Sequence, residues 1–409
     1  MIAPILASLS RHRATTTLLA LQVALTCAVV CNATAMLVDR LAIMSPVTGL
    51  AEDRLVVIPD VATHVDHLVA RHQDDLARLR TIPGVVAATA MESLPLSHSS
   101  FGMGIRSTPP GPDAGAEVVA SVYAGSAGTL RTLGLDLVAG RTFNATDFVP
   151  ASASAGESDF LKLHAVVVTR ALAHRLWGDT TPVQSIVGRK LYRDGHPVEV
   201  VGVIDRLLVP EPGAEADENL SMLLPIQPGG NWTMFVLNTA PELRGRVLKD
   251  AVDALNASDP ERIVRNADTY EGMRGEYFRR DRTMVGLLIA SALGLLFVTG
   301  LGVAGLASFW VQQRIRQIGI RRAIGATRGQ IRRHFHLENG IIVAAGCAAG
   351  TLMALGLNLW LMQRYELPRL PLGYLGLGMA TLLVVGQMAV YGAARRASTI
   401  TPVAAIRSA

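Results

Sequence analysis

TMVGLLIASALGLLFVTGLGVAGLASFWV occupies residues 283–311, and QQRIRQIGIRRAIGATRGQIRRHF follows at once as residues 312–335. The first string has no Asp, Glu, Lys or Arg and is long enough as a helix to cross a bilayer core of about 30 Å. The second is crowded with arginine. Three more uncharged apolar runs match the first: Thr15–Leu37, Ile341–Met362 and Leu372–Ala394. Half of the 409 residues are hydrophobic, 17% are charged, and the mean hydropathy is +0.34. The fold class is therefore a membrane protein with four transmembrane α-helices. The polar stretch 39–282 between the first two helices can bury a core of its own.

Arginine also orients the chain. Arg11 and Arg13 precede the first run. Arg314, Arg316, Arg321, Arg322, Arg328, Arg332 and Arg333 lie between the second and third, and Arg395, Arg396 and Arg407 follow the fourth. The positive-inside rule places all three segments in the cytoplasm and the stretch 39–282 outside. The basic residues before the second helix (Arg274, Arg279, Arg280, Arg282) alternate with Glu271, Glu276 and Asp281, the pattern of a salt-bridged helical stalk. The formal charge of +5 suits cytoplasmic loops better than nucleic acid. The run after Arg13 ends near Ala33-Thr34-Ala35, a cleavage-like site, and is expected to be retained because three further spans follow.

These readings divide the chain into a cytoplasmic N-terminal segment 1–14, helix 15–38, and an outside domain 39–282 ending in a stalk helix 262–282. Helix 283–311, a cytoplasmic loop 312–339, helix 340–362, a short outside loop 363–371, helix 372–394 and a cytoplasmic tail 395–409 follow. The outside domain has an α+β pattern. Leu55–Ile58 predicts a strand, Thr63–Arg80 an amphipathic helix and Val85–Ala90 a second strand, a βαβ-like unit. Strands at Glu117–Tyr123, Ala165–Val168, Val198–Ile204 and Met222–Leu224, with a helix at Arg170–Trp177, define an inserted subdomain over about 115–228. Its loops are 150–158 and 211–218. A strand Met234–Asn238 and a helix Glu242–Leu255 lead back to the stalk.

Sites of chemistry are not evident. His64, His67 and His72 have loose metal-like spacing, but the solvated helix face is the expected reading. No GxSxG, HExxH or CxxC occurs. Cys27 and Cys31, at i and i+4, fit a helix seam, and Gly346 and Gly350 form a GxxxG that predicts close helix packing. The sequons at Asn32, Asn144, Asn231 and Asn256 matter only in a glycosylating pathway. Uncharged spans argue against a proton- or sodium-driven transporter.

Residues 313–327, QRIRQIGIRRAIGAT, resemble the signature loop of the MacB/FtsX-like ABC permease family, which runs roughly R-x-x-E-I-G-x-x-R-A-x-G-A after the second helix. Gln317 stands at the usual glutamate, and Glu338 occupies the position of an acidic residue entering the third helix. The endings Ala393–Ala397 and Thr401–Arg407 are similar to the family's, as are Thr132–Arg141 and the stretch from Val166 to Ile204 in the outside domain. The resemblance implies an α+β periplasmic domain with porter and sabre-like parts. It also implies that the 312–339 loop couples to an ATPase through Arg314, Ile318, Gly319, Arg321, Arg322, Ala323, Gly325, Ala326, Thr327 and Glu338. From the residues themselves, Ile315, Ile318, Ala323, Ile331 and Phe335 can form the apolar face of a basic amphipathic helix. It would meet either anionic lipid or a groove in a partner.

A P-loop needs Gly-Lys-[Ser/Thr], and none of Lys162, Lys190 and Lys249 stands in one. The ATPase is thus expected on another polypeptide, as a dimer carrying ATP and Mg, while this chain is a non-catalytic permease subunit binding no cofactor. The resemblance further implies a second permease copy or paralogue, with a periplasmic adaptor and an outer-membrane channel, in the inner membrane. The expected function is efflux of a peptide, antibiotic or similar molecule by mechanotransmission. The alternatives are a lipoprotein-release (LolC/LolE-like) permease, an FtsX-like regulator of cell-wall hydrolases, and a membrane-anchored scaffold or sensor.

Overall fold

The computed structural model describes residues 13–61, 67–99, 101–112, 114–151, 157–212, 219–230, 232–259, 262–365 and 372–399. The expected N-terminal segment up to residue 12, the loop at 366–371 and the motif Thr401–Arg407 lie outside them, as do parts of the two expected flexible loops (152–156 and 213–218). Two compact units result: Met1–Ala42 with Asp281–Ala409, and Ile43–Arg280.

The first unit holds the helices Arg13–Ile43, Arg279–Gln313, Arg328–Tyr365 and Leu372–Thr399, each long and apolar enough to cross a membrane. Their polar ends extend the helices beyond the apolar runs. The third starts at Arg328, so 328–339 is helix where the sequence suggests loop. Small residues draw the helices together. A Cβ on Gly346 would stand 2.8 Å from Val23 Cβ, and one on Gly350 would stand 2.6 Å from Cys27 Cβ, so the GxxxG face lies against the first helix. Cys27, Cys31 and Cys347 are buried in the same seam as free thiols. Backbones brought this close let polar side chains bond across helices. Thr26 meets Thr299 at 2.7 Å, Asn339 Nδ2 donates to Gly386 O at 3.1 Å, and Gln387 accepts from His336 Nδ1 at 2.7 Å. Arg40 pairs with Asp281 at 3.1 Å where the first helix ends and the second begins.

The second unit is an α/β domain with two main sheets. Leu55–Val61 and Val85–Met91 are joined by the helix Leu68–Arg80, as a βαβ-like unit requires, but they do not pair with each other. Trp232–Thr239 lies between them, antiparallel to both. Strands linked by a crossover can leave one slot between them, and this chain fills it with a strand from far downstream. Alternation along Leu55–Val61 sends Val56 and Ile58 to the helices Leu68–Arg80 and Arg244–Ser258, where they pack with Leu76, Leu79, Phe235, Leu237 and Val247. Residues 62–66, which include the first four positions of the predicted helix, lie outside the described set.

The second sheet runs Gly102–Ile105, Val118–Ala124, Ser221–Leu224, Ala165–Thr169, His196–Ile204, Leu137–Gly140, with Lys190–Arg193 also pairing His196–Ile204. Ala165–Thr169 is buried throughout, as a strand covered on both faces must be. The helix Arg170–Trp177 follows directly, capped where Thr169 Oγ1 accepts from Leu172 N at 3.3 Å. The insert therefore begins before residue 115, because Gly102–Ile105 is its edge strand. Nor is it a separate body. Tyr123, Leu133, Val167, Val201 and Leu223 of the insert share one core with Leu55, Val57, Met234 and Val236 of the first sheet. Each large apolar side chain so buried contributes roughly 1.5–3 kcal/mol.

The expected stalk 262–282 is not one helix. Ile263–Val264 and Asp268–Thr269 pair with Leu55–Val61, and Asn266 turns between them at φ 45°. A helix Tyr270–Tyr277 then starts at Thr269, whose Oγ1 accepts from Gly272 N at 3.1 Å, and Phe278 separates it from Arg279–Gln313. Burial of Arg262 draws its backbone into the sheet region. Its side chain is enclosed, ion-paired to Asp75 and 3.6 Å from Asp60. The charges read as a helical face mostly pair with other elements: Arg274 with Glu52 at 2.7 Å and Arg244 with Glu271 at 2.9 Å, while Arg279 and Glu276 pair locally at 3.0 Å.

Candidate functional site

The basic segment after residue 311 is shaped by two turns. At the first, the backbone N–H of Arg314 bonds to Trp310 O at 3.1 Å and Val311 O at 3.2 Å, closing the second long helix. The Arg314 guanidinium lies over the Trp310 ring, 5.9 Å from its centroid. Its Nη1 donates to Glu338 Oε1 at 3.0 Å and Oε2 at 2.9 Å. Glu338 is 1% exposed. A charge buried this deeply needs its partner, so the pair holds the start of the segment against the third helix.

The short helix Ile315–Ala323 comes next. Its end is a Schellman motif. Ala326 N bonds to Arg321 O at 3.0 Å and Gly325 N to Arg322 O at 3.1 Å, with Gly325 at φ 104°, where a side chain would be strained. The third helix begins on the following residues. Gln330 N donates to Thr327 Oγ1 at 3.3 Å and Thr327 N to Gln330 Oε1 at 3.0 Å, the reciprocal bonds of a capping box. Gly325 through its backbone and Thr327 through its hydroxyl and backbone N–H therefore end one helix and start the next within four residues.

Of the predicted apolar face, Ile318, Ile331 and Phe335 are buried together in the helical core, and Ile315 is half-buried. Ala323 is exposed, contrary to that reading. At 100° per residue it points about 140° away from Ile318. The same arithmetic puts Ile320 and Ile324 within about 40° of each other, on the side away from Ile318. Ile320 is 50% exposed and Ile324 82% exposed, with Arg316, Arg321 and Arg328 also exposed. Gly319 is buried beside Ile318, and Arg322 and Ala326 are half-buried. The segment thus offers an apolar pair in a basic surround, held rigid at both ends. Sequence reasoning missed Trp310, Ile320, Ile324 and Gln330. The i, i+4 isoleucine spacing and the Thr-x-x-Gln pattern were the available signals.

The other residues singled out in the sequence lie elsewhere or carry no site. Gly346 and Gly350 serve the seam with the first helix. Among the described residues no group of three His, Cys, Asp or Glu could hold a metal. His64 lies outside them, and His67 precedes the helix at φ 55°. His72 is buried, not solvated, because its ring packs edge-on to Phe235 and its Nδ1 sits 3.0 Å from Pro228 O. Asn231 and its sequon start outside the described set.

Two family models match the chain: the MacB-like periplasmic core domain over residues 23–259 and the FtsX-like permease C-terminal region over residues 289–402. A macrolide export ATP-binding/permease protein MacB of Bradyrhizobium diazoefficiens is 30% identical over 234 residues, covering 54% of this chain and 35% of that protein. An uncharacterized ABC transporter permease, YknZ of Bacillus subtilis, is 24% identical over 245 residues, covering 57% of this chain and 56% of that one. The match thus spans from about a third to just over half the length of these relatives. Among solved structures, the extracellular domain of the noncanonic ABC-type transporter YknZ from Gram-positive bacteria aligns with 52% of this chain and 100% of its own, at 20% identity and a TM-score of 0.33.

Proposed function

This chain belongs to the MacB/FtsX-like family of ABC transporter permeases, and from that premise we propose that it is the non-catalytic permease of an exporter driven by ATPase partners. The observation that carries the reading is the exposed pair Ile320 and Ile324 on a segment clamped by Arg314–Glu338 and by the Gly325–Thr327 turn. Apolar side chains in a basic rim suit a groove in a protein with acidic edges. Two rigid turns make the segment a fit transmitter, because movement imposed on it passes to the helices on either side. In this reading the segment is cytoplasmic, the α/β unit is periplasmic, and ATP with Mg is bound by the partner. A second permease copy or paralogue completes the assembly in the inner membrane. ATP-driven closure of the ATPases moves the helices and, through them, the periplasmic domain. The cargo is a peptide, antibiotic or similar molecule, passed to an adaptor and an outer-membrane channel.

The test is co-expression with the ABC ATPase encoded nearest its gene, purification in mild detergent and reconstitution in nanodiscs. Wild-type chain is expected to retain the ATPase and stimulate its turnover. Ile324→Asp should lose both while leaving the melting temperature within about 2 °C, since an exposed side chain adds little to stability. Absence of any bound ATPase from the wild-type preparation sinks the proposal.

A further inference from the structure

We propose that a cavity in the α/β unit, lined by Glu92, Phe101, Met103, Val122, Phe160 and Leu224, binds a small organic monocation, an aryl- or alkylammonium ion. The cavity measures about 150 Å³. Met103, Val122 and Leu224 line one side from neighbouring strands of the second sheet, and Phe160 closes it. Phe101 lines it while remaining 47% exposed, which marks the opening. An enclosed apolar cavity of about this volume takes a benzene ring, and here Glu92, Ser93 and Ser99 add polar groups to an open wall.

Glu92 supplies its acidic group. It directly follows the strand Val85–Met91, and its backbone N–H bonds to Ala124 O at 3.4 Å, which places the residue at the cavity wall. Glu92 Oε1 is buried and has no hydrogen-bond partner among the described residues. Burial pushes this carboxyl up from its ordinary range, and Asp159 pushes it the same way. The Arg193 guanidinium lies over the ring of Phe160, 5.9 Å from its centroid. Asp159 itself has Lys162 Nζ at 3.0 Å, so Glu92 is the member of the acidic pair with no cation among the described residues.

The chemistry of the ligand follows from these groups. A carboxylate repels anions and gives a neutral apolar guest nothing to bond. A bare divalent ion needs about six oxygen ligands, and the wall offers one carboxylate with the hydroxyls of Ser93 and Ser99. An ammonium on an apolar body meets every requirement: N–H donors for Oε1, charge for Glu92, and a ring or chain against Phe101 and Phe160, with cation–π attraction added. The site is built from residues of the α/β unit alone and does not depend on the transport reading.

The test uses the full chain in nanodiscs with benzylammonium as probe, followed by equilibrium dialysis against empty nanodiscs, and benzyl alcohol as the uncharged comparison. One saturable site is expected, with benzyl alcohol at least about tenfold weaker, the ratio a charged hydrogen bond supplies. Glu92→Gln should bring benzylammonium down to the affinity of benzyl alcohol while leaving benzyl alcohol itself unchanged, which also reports that the fold is intact. Met103→Trp should fill the cavity and remove both. Absence of saturable binding to the wild-type chain, or equal affinity for the two probes, overturns the proposal whatever the variants do.

Discussion

Arg314 and Glu338 are joined at two points, with one guanidinium nitrogen donating at 3.0 Å and 2.9 Å to the two oxygens of a carboxylate that is 1% exposed. They stand 24 residues apart, on either side of the basic segment. The pair ties the two ends of that segment to each other.

Removing one partner strands the other in a buried position. Glu338→Gln or Arg314→Met is expected to lower stability by about 3 kcal/mol, read as a drop of several degrees in melting temperature for the detergent-solubilised chain. The double substitution with Met at both positions should cost less than the two singles summed, since no buried charge is left over. Additive losses would refute the coupling.

Gly325 has open space around its Cα, so strain and not collision governs its replacement. At φ 104° any side chain is disfavoured, and Gly325→Ala should cost about 1 kcal/mol. Gly325→Val should cost more, because a β-branched residue is least at ease at positive φ. Limited trypsin digestion at Arg321 and Arg322 gives the readout, with faster cleavage in both variants and fastest in Val.

Helix-seam glycines and exposed helix glycines should separate cleanly. Ala at Gly346 or Gly350 collides with the first helix, with a cost of about 1–3 kcal/mol in thermal stability. Gly294, in contrast, leaves open space where a Cβ would stand, with no described atom within 4 Å, so Gly294→Ala should be neutral or stabilise by up to about 1 kcal/mol. Equal effects at Gly350 and Gly294 would contradict the packing.

His72 makes the α/β unit sensitive to acid. Burial lowers its pKa from 6.5, although the Pro228 carbonyl and the carboxylates of Asp60 and Asp75 draw it upward and Arg71 adds to the lowering. The unfolded chain then binds a proton that the folded unit refuses, so stability falls as pH drops below about 6.5. Asp60 acts in the opposite sense. Its carboxyl is raised by burial, with Arg262 the strongest opposing group, so protonation favours the folded state as pH falls. Replacing His72 by Gln isolates the histidine share. Between about pH 7.5 and 5.5 the variant should lose less stability than wild type, by at most about 1.4 kcal/mol per pH unit. Parallel pH profiles for the two chains would rule the effect out.

Much of the architecture was legible along the chain. The uncharged runs and the small residues at Gly346 and Gly350 are local signals, and so are the strands from Leu55 and Ala165 and the helix Arg170–Trp177. The stalk was misread because alternating Arg and Glu fit a solvated helix as well as side chains reaching to Glu52 and Arg244. The candidate site was half legible. The residues of the segment stood out, but not that Ile320 and Ile324 remain outside while Ile318 goes in.

Hydropathy and charge are sums over neighbouring residues, so the chain order alone specified four apolar helices, a large polar domain between the first two, and a basic turn after the second. Pairings between distant residues obey no such sum. That Trp232–Thr239 enters the slot between Leu55–Val61 and Val85–Met91, that Arg314 finds Glu338, and that Glu92 meets no cation among the described residues were settled only when packing placed those backbones side by side. A buried charge acquires its meaning from which opposite charge the fold brings to it, or fails to bring.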